Sequence, residues 1–166
     1  MIRARPPCAR EAMSIFDRLR EGITTRDPGA TREIAAEFAR ALRPPTVLAL
    51  HGDLGVGKTT FVQGLAAGLG VTAAVTSPTF NLFSLHRGPV NLVHLDAYRL
   101  GSAREFEDLL LEEFLLPPWI LAVEWPERIA DGLPAGALHL DLRILPDQSH
   151  QVRLRGAPAE ANPTQA

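Results

Sequence analysis

Cysteine, lysine and long hydrophobic runs are scarce in this chain of 166 residues. Its one cysteine, Cys8, excludes an internal disulfide framework and a cysteine-rich zinc site. No apolar run approaches the ~20 residues that cross a bilayer, so we expect no membrane segment. The formal net charge of −2 excludes a strong overall attraction to nucleic acid or to a membrane surface. These absences predict a soluble, cytoplasmic protein.

The length predicts one ordinary domain, because domains usually have ~100–200 residues. Residues 1–22 are rich in arginine and include two adjacent prolines, which predicts a disordered or loosely packed N-terminal extension. Residues 156–166 are rich in alanine and proline and have no large apolar side chain, which predicts a flexible C-terminal tail. We therefore expect the folded domain over residues 23–155.

Helical spacing of apolar residues is found in three stretches. It predicts a helix from Thr31, acting as the N-cap, to about Leu42, and a second helix over residues 58–69. A capping pattern at Ser102 predicts a third helix that continues until just before Pro117. Each predicted helix adjoins an extended pattern, which is typical of α/β proteins.

Extended patterns are of two kinds. Short, wholly apolar runs at residues 47–50 and 120–123 are typical of strands that are buried on both faces. Four further strands are predicted over residues 79–85, 90–95, 138–145 and 151–155, and the last two alternate apolar with polar residues. Together the elements predict a three-layer α/β domain, similar to P-loop NTPases, around a mixed, partly parallel sheet.

Residues 52–59 match the phosphate-binding loop pattern: a glycine, four residues, then Gly-Lys-Ser/Thr. Glycines let backbone N–H groups point at phosphate oxygens, and the start of the following helix favours an anion. Lys58, the one lysine beside sixteen arginines, is suited to contact the β- and γ-phosphates, and Thr59 to coordinate Mg²⁺. The predicted nucleotide-binding residues are Gly52, Asp53, Leu54, Gly55, Val56, Gly57, Lys58, Thr59 and Thr60.

The base of the nucleotide follows from the shortage of lysine. Common GTPases read guanine with an Asn-Lys-x-Asp motif, and that motif needs a lysine besides Lys58. Because the chain has no second lysine, ATP is favoured by elimination.

Two acidic residues follow predicted strands, at the edge where open α/β sheets bind ligands. Asp96 and Glu124 are each suited to hold Mg²⁺ through water or to orient the attacking water, and the alternative is a helix cap or a surface ion pair.

Thr79 lies where a switch threonine would close onto Mg²⁺, and the alternative is an ordinary Ser-Pro turn. For Trp125 two positions are open, one near the site and one in the core. The histidines lack metal-ligand spacing and are interpreted as structural: His51, His86, His94 and His139.

Four motifs occur in an order that resembles the bacterial TsaE family, also called YjeE. They are Gly-Asp-Leu-Gly-x-Gly-Lys-Thr-Thr, Ser-Pro-Thr-Phe, His-Leu-Asp-Ala-Tyr-Arg-Leu and Val-Glu-Trp-Pro-Glu, and the resemblance covers roughly residues 24–155. It implies an ATPase of tRNA threonylcarbamoyladenosine (t6A) biosynthesis that binds ATP and Mg²⁺ and hydrolyses ATP weakly alone. It also implies docking onto the TsaB–TsaD heterodimer, which the ATPase resets between turnovers, with tRNA contacted only through that complex.

The resemblance also assigns roles by position. Lys58 would contact phosphates, Thr79 would be the switch threonine, and Thr59, Asp96 and Glu124 would serve Mg²⁺ and the attacking water. The catalytic set is then Lys58, Glu124, Asp96 and Thr79, and residues 27–31, including Thr31, would lie near the adenine.

A phosphotransferase is the alternative function, with the same loop used to phosphorylate a nucleoside or a small metabolite. Such kinases usually close an arginine-rich lid over the phosphate donor. The candidate lid here, residues 101–116, contains one arginine among five acidic residues, so its charge has the wrong sign.

Overall fold

A seven-stranded mixed sheet forms the centre of the fold, and the computed structural model describes it within residues 13–78 and 81–156. The strand order is β1-β7-β6-β2-β5-β4-β3; β4, β5, β2 and β6 run parallel, and the outer pairs are antiparallel. The strands are β1 (Ile23–Thr25), β2 (Thr46–His51), β3 (Phe83–His86), β4 (Asn91–Asp96), β5 (Trp119–Glu124), β6 (Leu138–Ile144) and β7 (His150–Leu154).

Helices cover both faces of the parallel centre of the sheet. The α-helices are α1 (Ile15–Glu21), α2 (Pro28–Ala41), α3 (Lys58–Gly68) and α4 (Ala103–Glu107). Short 3₁₀ segments occupy Ala97–Arg99, Leu111–Glu113 and Pro126–Gly132. Within the described ranges no helix has both the length and the hydropathy to span a bilayer.

Alternation along the strands divides the core into two layers. On one face, Leu48, Leu50 and Ile120 pack against α1, α2 and α3. On the other, Val93 and Val123 pack with α4 and the 3₁₀ segments. Since β2 is the middle strand of the sheet, the loop that follows it is anchored between strands on both sides. The predicted three-layer α/β architecture with a mixed, partly parallel sheet is confirmed.

The N-terminal segment differs from the prediction. Residues 15–21, expected in a loose extension, form α1, whose Ile15 and Leu19 are buried against the core. Ser14 caps the helix by accepting a hydrogen bond from the Asp17 N–H. The expectation for residues 1–22 is therefore wrong from α1 onward, because the apolar side chains of this helix pack against the core. Residues 1–12 and 157–166 lie outside the described residues.

Two helix boundaries also differ. The helix predicted from Thr31 begins at Pro28, with Asp27 as its N-cap, because proline is favoured in the first helical turn. The helix predicted from Ser102 to Pro117 ends at Glu107. Leu110 then adopts a left-handed conformation (φ 49°), which no α-helix continues through.

Helices α2 and α3 approach so closely that only glycine fits at two positions of α3. A Cβ atom on Gly64 would lie 2.4 Å from the backbone oxygen of Arg32 and 2.6 Å from the Cβ of Ala35. A Cβ atom on Gly68 would likewise lie 2.4 Å from the carbonyl oxygen of Ala36. The close approach holds the helix that carries the glycine loop against α2.

Gly64→Ala is therefore expected to lower the free energy of unfolding by about 2 kcal/mol, because a backbone carbonyl cannot move aside as a side chain can. This value is the net effect, because the clash outweighs the gain of ~1 kcal/mol in helix propensity that alanine brings. Urea unfolding measures the effect. Ala67→Gly, at an exposed position of the same helix, changes propensity alone and should cost only ~1 kcal/mol. If Gly64→Ala were as stable as the wild type, the close packing of α2 against α3 would be contradicted.

Candidate functional site

The loop between β2 and α3 contains three glycines in the left-handed half of backbone space. Gly52, Gly55 and Gly57 have φ values of 138°, 82° and 100°. A Cβ atom on Gly52 would lie 2.3 Å from the backbone oxygen of Leu142, so the chain passes there only without a side chain. Gly57 is the N-cap of α3. The loop therefore brings backbone amides and the positive end of a helix to one point.

Lys58 begins α3 and turns back over this loop. Its side chain is buried, and its Nζ donates hydrogen bonds to the backbone oxygens of Gly52 and Asp53. The same nitrogen lies 3.9 Å from the centre of the Trp125 ring, a cation–π contact. Burial lowers the pKa of Lys58 from its ordinary value, while the Glu124 charge opposes that shift. Of the two places left open for Trp125, the structure shows the one beside the loop.

The two strand-end acidic residues are neighbours across the sheet. Asp96 and Glu124 are paired in the parallel register of β4 and β5, so both project at the edge that holds the loop. Glu124 is buried, and its Oε1 accepts hydrogen bonds from Thr59 Oγ1 at 2.9 Å and from His94 Nε2 at 2.8 Å. Asp96 accepts the Tyr98 N–H at 3.0 Å and so caps a 3₁₀ turn. Glu124 is thus joined directly to the loop threonine.

A cavity of about 350 Å³ lies over these groups. This volume is within the range of small-molecule sites, ~300–1,000 Å³. Its lining residues combine hydroxyls, two carboxylates, one ammonium group and one indole ring: Leu54, Gly55, Gly57, Lys58, Thr59, Thr60, Ser77, Asp96, Glu124 and Trp125. Most of the predicted site residues are therefore brought together. Thr79 lies outside the described residues, and its predicted role stays a prediction.

A second, smaller cavity of about 70 Å³ adjoins the first and shares Gly57 and Thr60 with it. It is lined by residues that include Asp27, Thr31 and His150. Segment 27–31 therefore lies beside the glycine loop. The Thr31 hydroxyl itself contacts the Thr25 hydroxyl at 2.7 Å.

Two histidines at the site were missed as functional candidates. His94 was interpreted as structural, yet it contacts Glu124. His150 lies 2.8 Å, through Nδ1, from the backbone oxygen of Val56 and so supports the loop from β7. A signal for His94 is present in the sequence: a polar residue in an apolar strand, two positions before Asp96 and therefore on the same face.

Sequence comparison gives the family. The family model described as "Threonylcarbamoyl adenosine biosynthesis protein TsaE" matches residues 25–153. The chain belongs to the TsaE family. The matched region contains the glycine loop, both strand-end acidic residues and Trp125. The resemblance predicted from the four motifs is thereby confirmed.

Individual TsaE proteins agree with the family match. The chain is 40% identical to the tRNA threonylcarbamoyladenosine biosynthesis protein TsaE of Treponema pallidum, over 68% of this chain and 84% of that protein. Identity to the TsaE proteins of Bacillus subtilis and Streptomyces coelicolor is 39% and 43%, over 77% and 74% of this chain and 80% and 85% of those proteins. The crystal structure of Bacillus subtilis YdiB superposes with a TM-score of 0.70 at 32% identity, covering 82% of this chain and 85% of that one.

Proposed function

We propose that this chain is the Mg²⁺-dependent ATPase subunit of the t6A tRNA modification machinery, and that its ATP turnover resets the TsaB–TsaD heterodimer between reaction rounds. The single observation that carries the ATPase assignment is the joining of Glu124 to Thr59 beside the glycine loop. A carboxylate held there is at the position from which a water near a bound triphosphate can be ordered.

Triphosphate binding is supported by the state of Lys58. Its ammonium group is desolvated and held by carbonyl oxygens and a ring face, and among the described residues it has no ion pair with a carboxylate. Phosphate oxygens are stronger acceptors than these carbonyls, because the hydrogen bond is then charge-assisted on both sides. Binding would exchange weak acceptors for strong ones, while the loop amides contact the remaining oxygens.

The oxygen donors at the cavity suit Mg²⁺. This ion needs only one or two protein oxygens when phosphates and water complete its octahedron. The Thr59 hydroxyl would bind it directly, and Asp96 and Glu124 would hold its waters. The ion would supply charge neutralisation at the β- and γ-phosphates.

The chemistry required of the protein is hydrolysis of the terminal phosphoanhydride. A water attacks the γ-phosphorus, the bond to the bridging oxygen breaks, and the water's proton passes to solvent or phosphate. Glu124 orients that water, and Lys58 stabilises the charge on the phosphate oxygens. Thr79, two residues after cavity residue Ser77 in the sequence, would close over the γ-phosphate as a switch.

The partner assignment is supported by family membership. The TsaE relatives carry tRNA threonylcarbamoyladenosine biosynthesis in their names. We place the chain in the cytoplasm with that machinery, docked on TsaB–TsaD, so that tRNA is reached only through the complex. Segment 27–31, beside the smaller cavity, would lie near the adenine.

Phosphate release from ATP and from GTP, with and without Mg²⁺, tests this function. We expect slow release that prefers ATP by at least about 10-fold and falls at least about 100-fold when EDTA removes Mg²⁺, because the metal contributes several kcal/mol to stabilising the transition state. The rate should rise when the cognate TsaB–TsaD pair is titrated in.

Each part of the proposal has its own contradicting result in this assay. Equal rates with ATP and GTP would contradict the nucleotide assignment. A rate of phosphate release that stays the same when the TsaB–TsaD pair is added would contradict the reset role. Phosphate transfer to added nucleosides, with little release to water, would favour the kinase instead.

A further inference from the structure

His94 contacts the candidate site without lining its cavity. It lies on β4, is 0% exposed, and faces the α1–α3 layer together with Glu124. Its Nε2 lies 2.8 Å from Glu124 Oε1. Because a carboxylate oxygen only accepts, Nε2 carries the hydrogen and donates it. His94 therefore reaches the nucleotide chemistry only through Glu124.

The other ring nitrogen of His94 shows that packing does not explain this residue. Among residues 13–78 and 81–156, His94 Nδ1 is buried without a hydrogen-bond partner. A buried polar atom left unpaired is costly, and an apolar side chain of similar size would avoid that cost. The imidazole is thus a poor core residue, and the bond to Glu124 is the contact that accounts for it.

The two donors to Glu124 differ in what holds them in place. Thr59 Oγ1 and His94 Nε2 both donate a hydrogen bond to Oε1 of Glu124. Thr59 lines the cavity, so its hydroxyl is placed to contact whatever binds there. His94 lies on β4, between β5 and β3, and does not line the cavity. Within the described residues both donors use Oε1, so we assign the ordering of water to the second carboxylate oxygen, Oε2.

We infer that His94 is a positioning residue for ATP hydrolysis: its Nε2–H holds the Glu124 carboxylate in the orientation that orders the attacking water. This inference rests on the proposed ATPase function. It predicts that loss of the Nε2 donor lowers kcat and leaves nucleotide affinity almost unchanged.

The pair His94→Gln and His94→Asn tests the role with two side chains of the same chemistry. The glutamine amide nitrogen reaches about where Nε2 lies, whereas the asparagine amide is one methylene too short. We expect kcat to fall about 10–100-fold for His94→Asn, as is usual when the support of a site residue is removed. His94→Gln should stay within about 5-fold of wild type. ATP affinity, measured by equilibrium binding, should change by less than about 3-fold in both.

A double variant tests whether His94 acts through Glu124. Adding His94→Asn to Glu124→Ala should cause no further loss of kcat, since residues that work as a unit are not additive. Equal losses in the Asn and Gln variants, a loss of ATP binding in His94→Asn, or additive losses in the double variant would each overturn the inference. A wild-type chain that binds ATP but releases no phosphate would overturn the proposed function and this inference together, whereas an active wild type with an equally active His94→Asn would overturn this inference alone.

Discussion

Replacing Lys58 with alanine is expected to lower the affinity for ATP about 10- to 100-fold and to abolish measurable phosphate release. The variant loses a charge-assisted contact to the phosphates in a desolvated place, where such a bond contributes about 1.5–3 kcal/mol. Lys58 is the only lysine of the chain, so no second lysine can substitute for it. Equilibrium binding of labelled ATP measures the affinity, and a phosphate-release assay measures the rate.

Two further variants make the Lys58 result specific. Lys58→Met keeps the length of the side chain and removes only the charge, and should bind as poorly as alanine. Arg87→Ala removes a positive charge from the exposed turn before β4, at the far end of the strand from Asp96, and should bind ATP normally. If Lys58→Ala bound ATP as tightly as wild type, the glycine loop would not be the triphosphate site.

Replacing Glu124 with alanine is expected to have the second large effect, and on a different quantity. Phosphate release should fall about 100- to 1,000-fold, within the usual range for a positioned acid or base, while ATP affinity stays within about 3-fold of wild type. In the proposed mechanism the carboxylate acts on the water, whereas the loop and Lys58 hold the triphosphate. Single-turnover hydrolysis with bound ATP separates the two effects.

Glu124→Gln is the matched variant, because it retains the size of the side chain and an oxygen for the Thr59 and His94 donors. It should hydrolyse as slowly as Glu124→Ala if the negative charge orders the water. Hydrolysis at the wild-type rate in either variant would remove Glu124 from the chemistry and leave Asp96 as the remaining strand-end acidic residue.

The glycine loop and the strand-end acidic residues were predictable because each depends on a local pattern. Residues 52–59 specify their own turn, and acidic residues after two apolar runs are brought together by any parallel pairing of those runs. The exact opposition of Asp96 and Glu124 follows from the register of β4 and β5, which is set by contacts across the sheet. Pattern alone therefore predicted the neighbourhood but not the pairing.

The elements that were missed depend on tertiary contacts or on subtle local signals. Helix α1 is too short to be stable alone and forms because Ile15 and Leu19 are buried by the rest of the molecule. The end of α4 depends on Leu110, whose left-handed conformation no propensity for leucine would predict. The bond from His94 to Glu124 spans 30 residues, so no short motif contains it.

The sequence separation of the site residues has a consequence for how the chain acquires function during synthesis. Thr59 and Glu124 are 65 residues apart, and β2 is flanked by β5 and β6, both made much later. A nascent chain that ends after α3 contains the whole glycine loop and β2, but neither of the two strands that flank β2 in the sheet. We therefore expect ATP to be a ligand of the finished fold, which it would stabilise by mass action, and not a template for assembly on the ribosome.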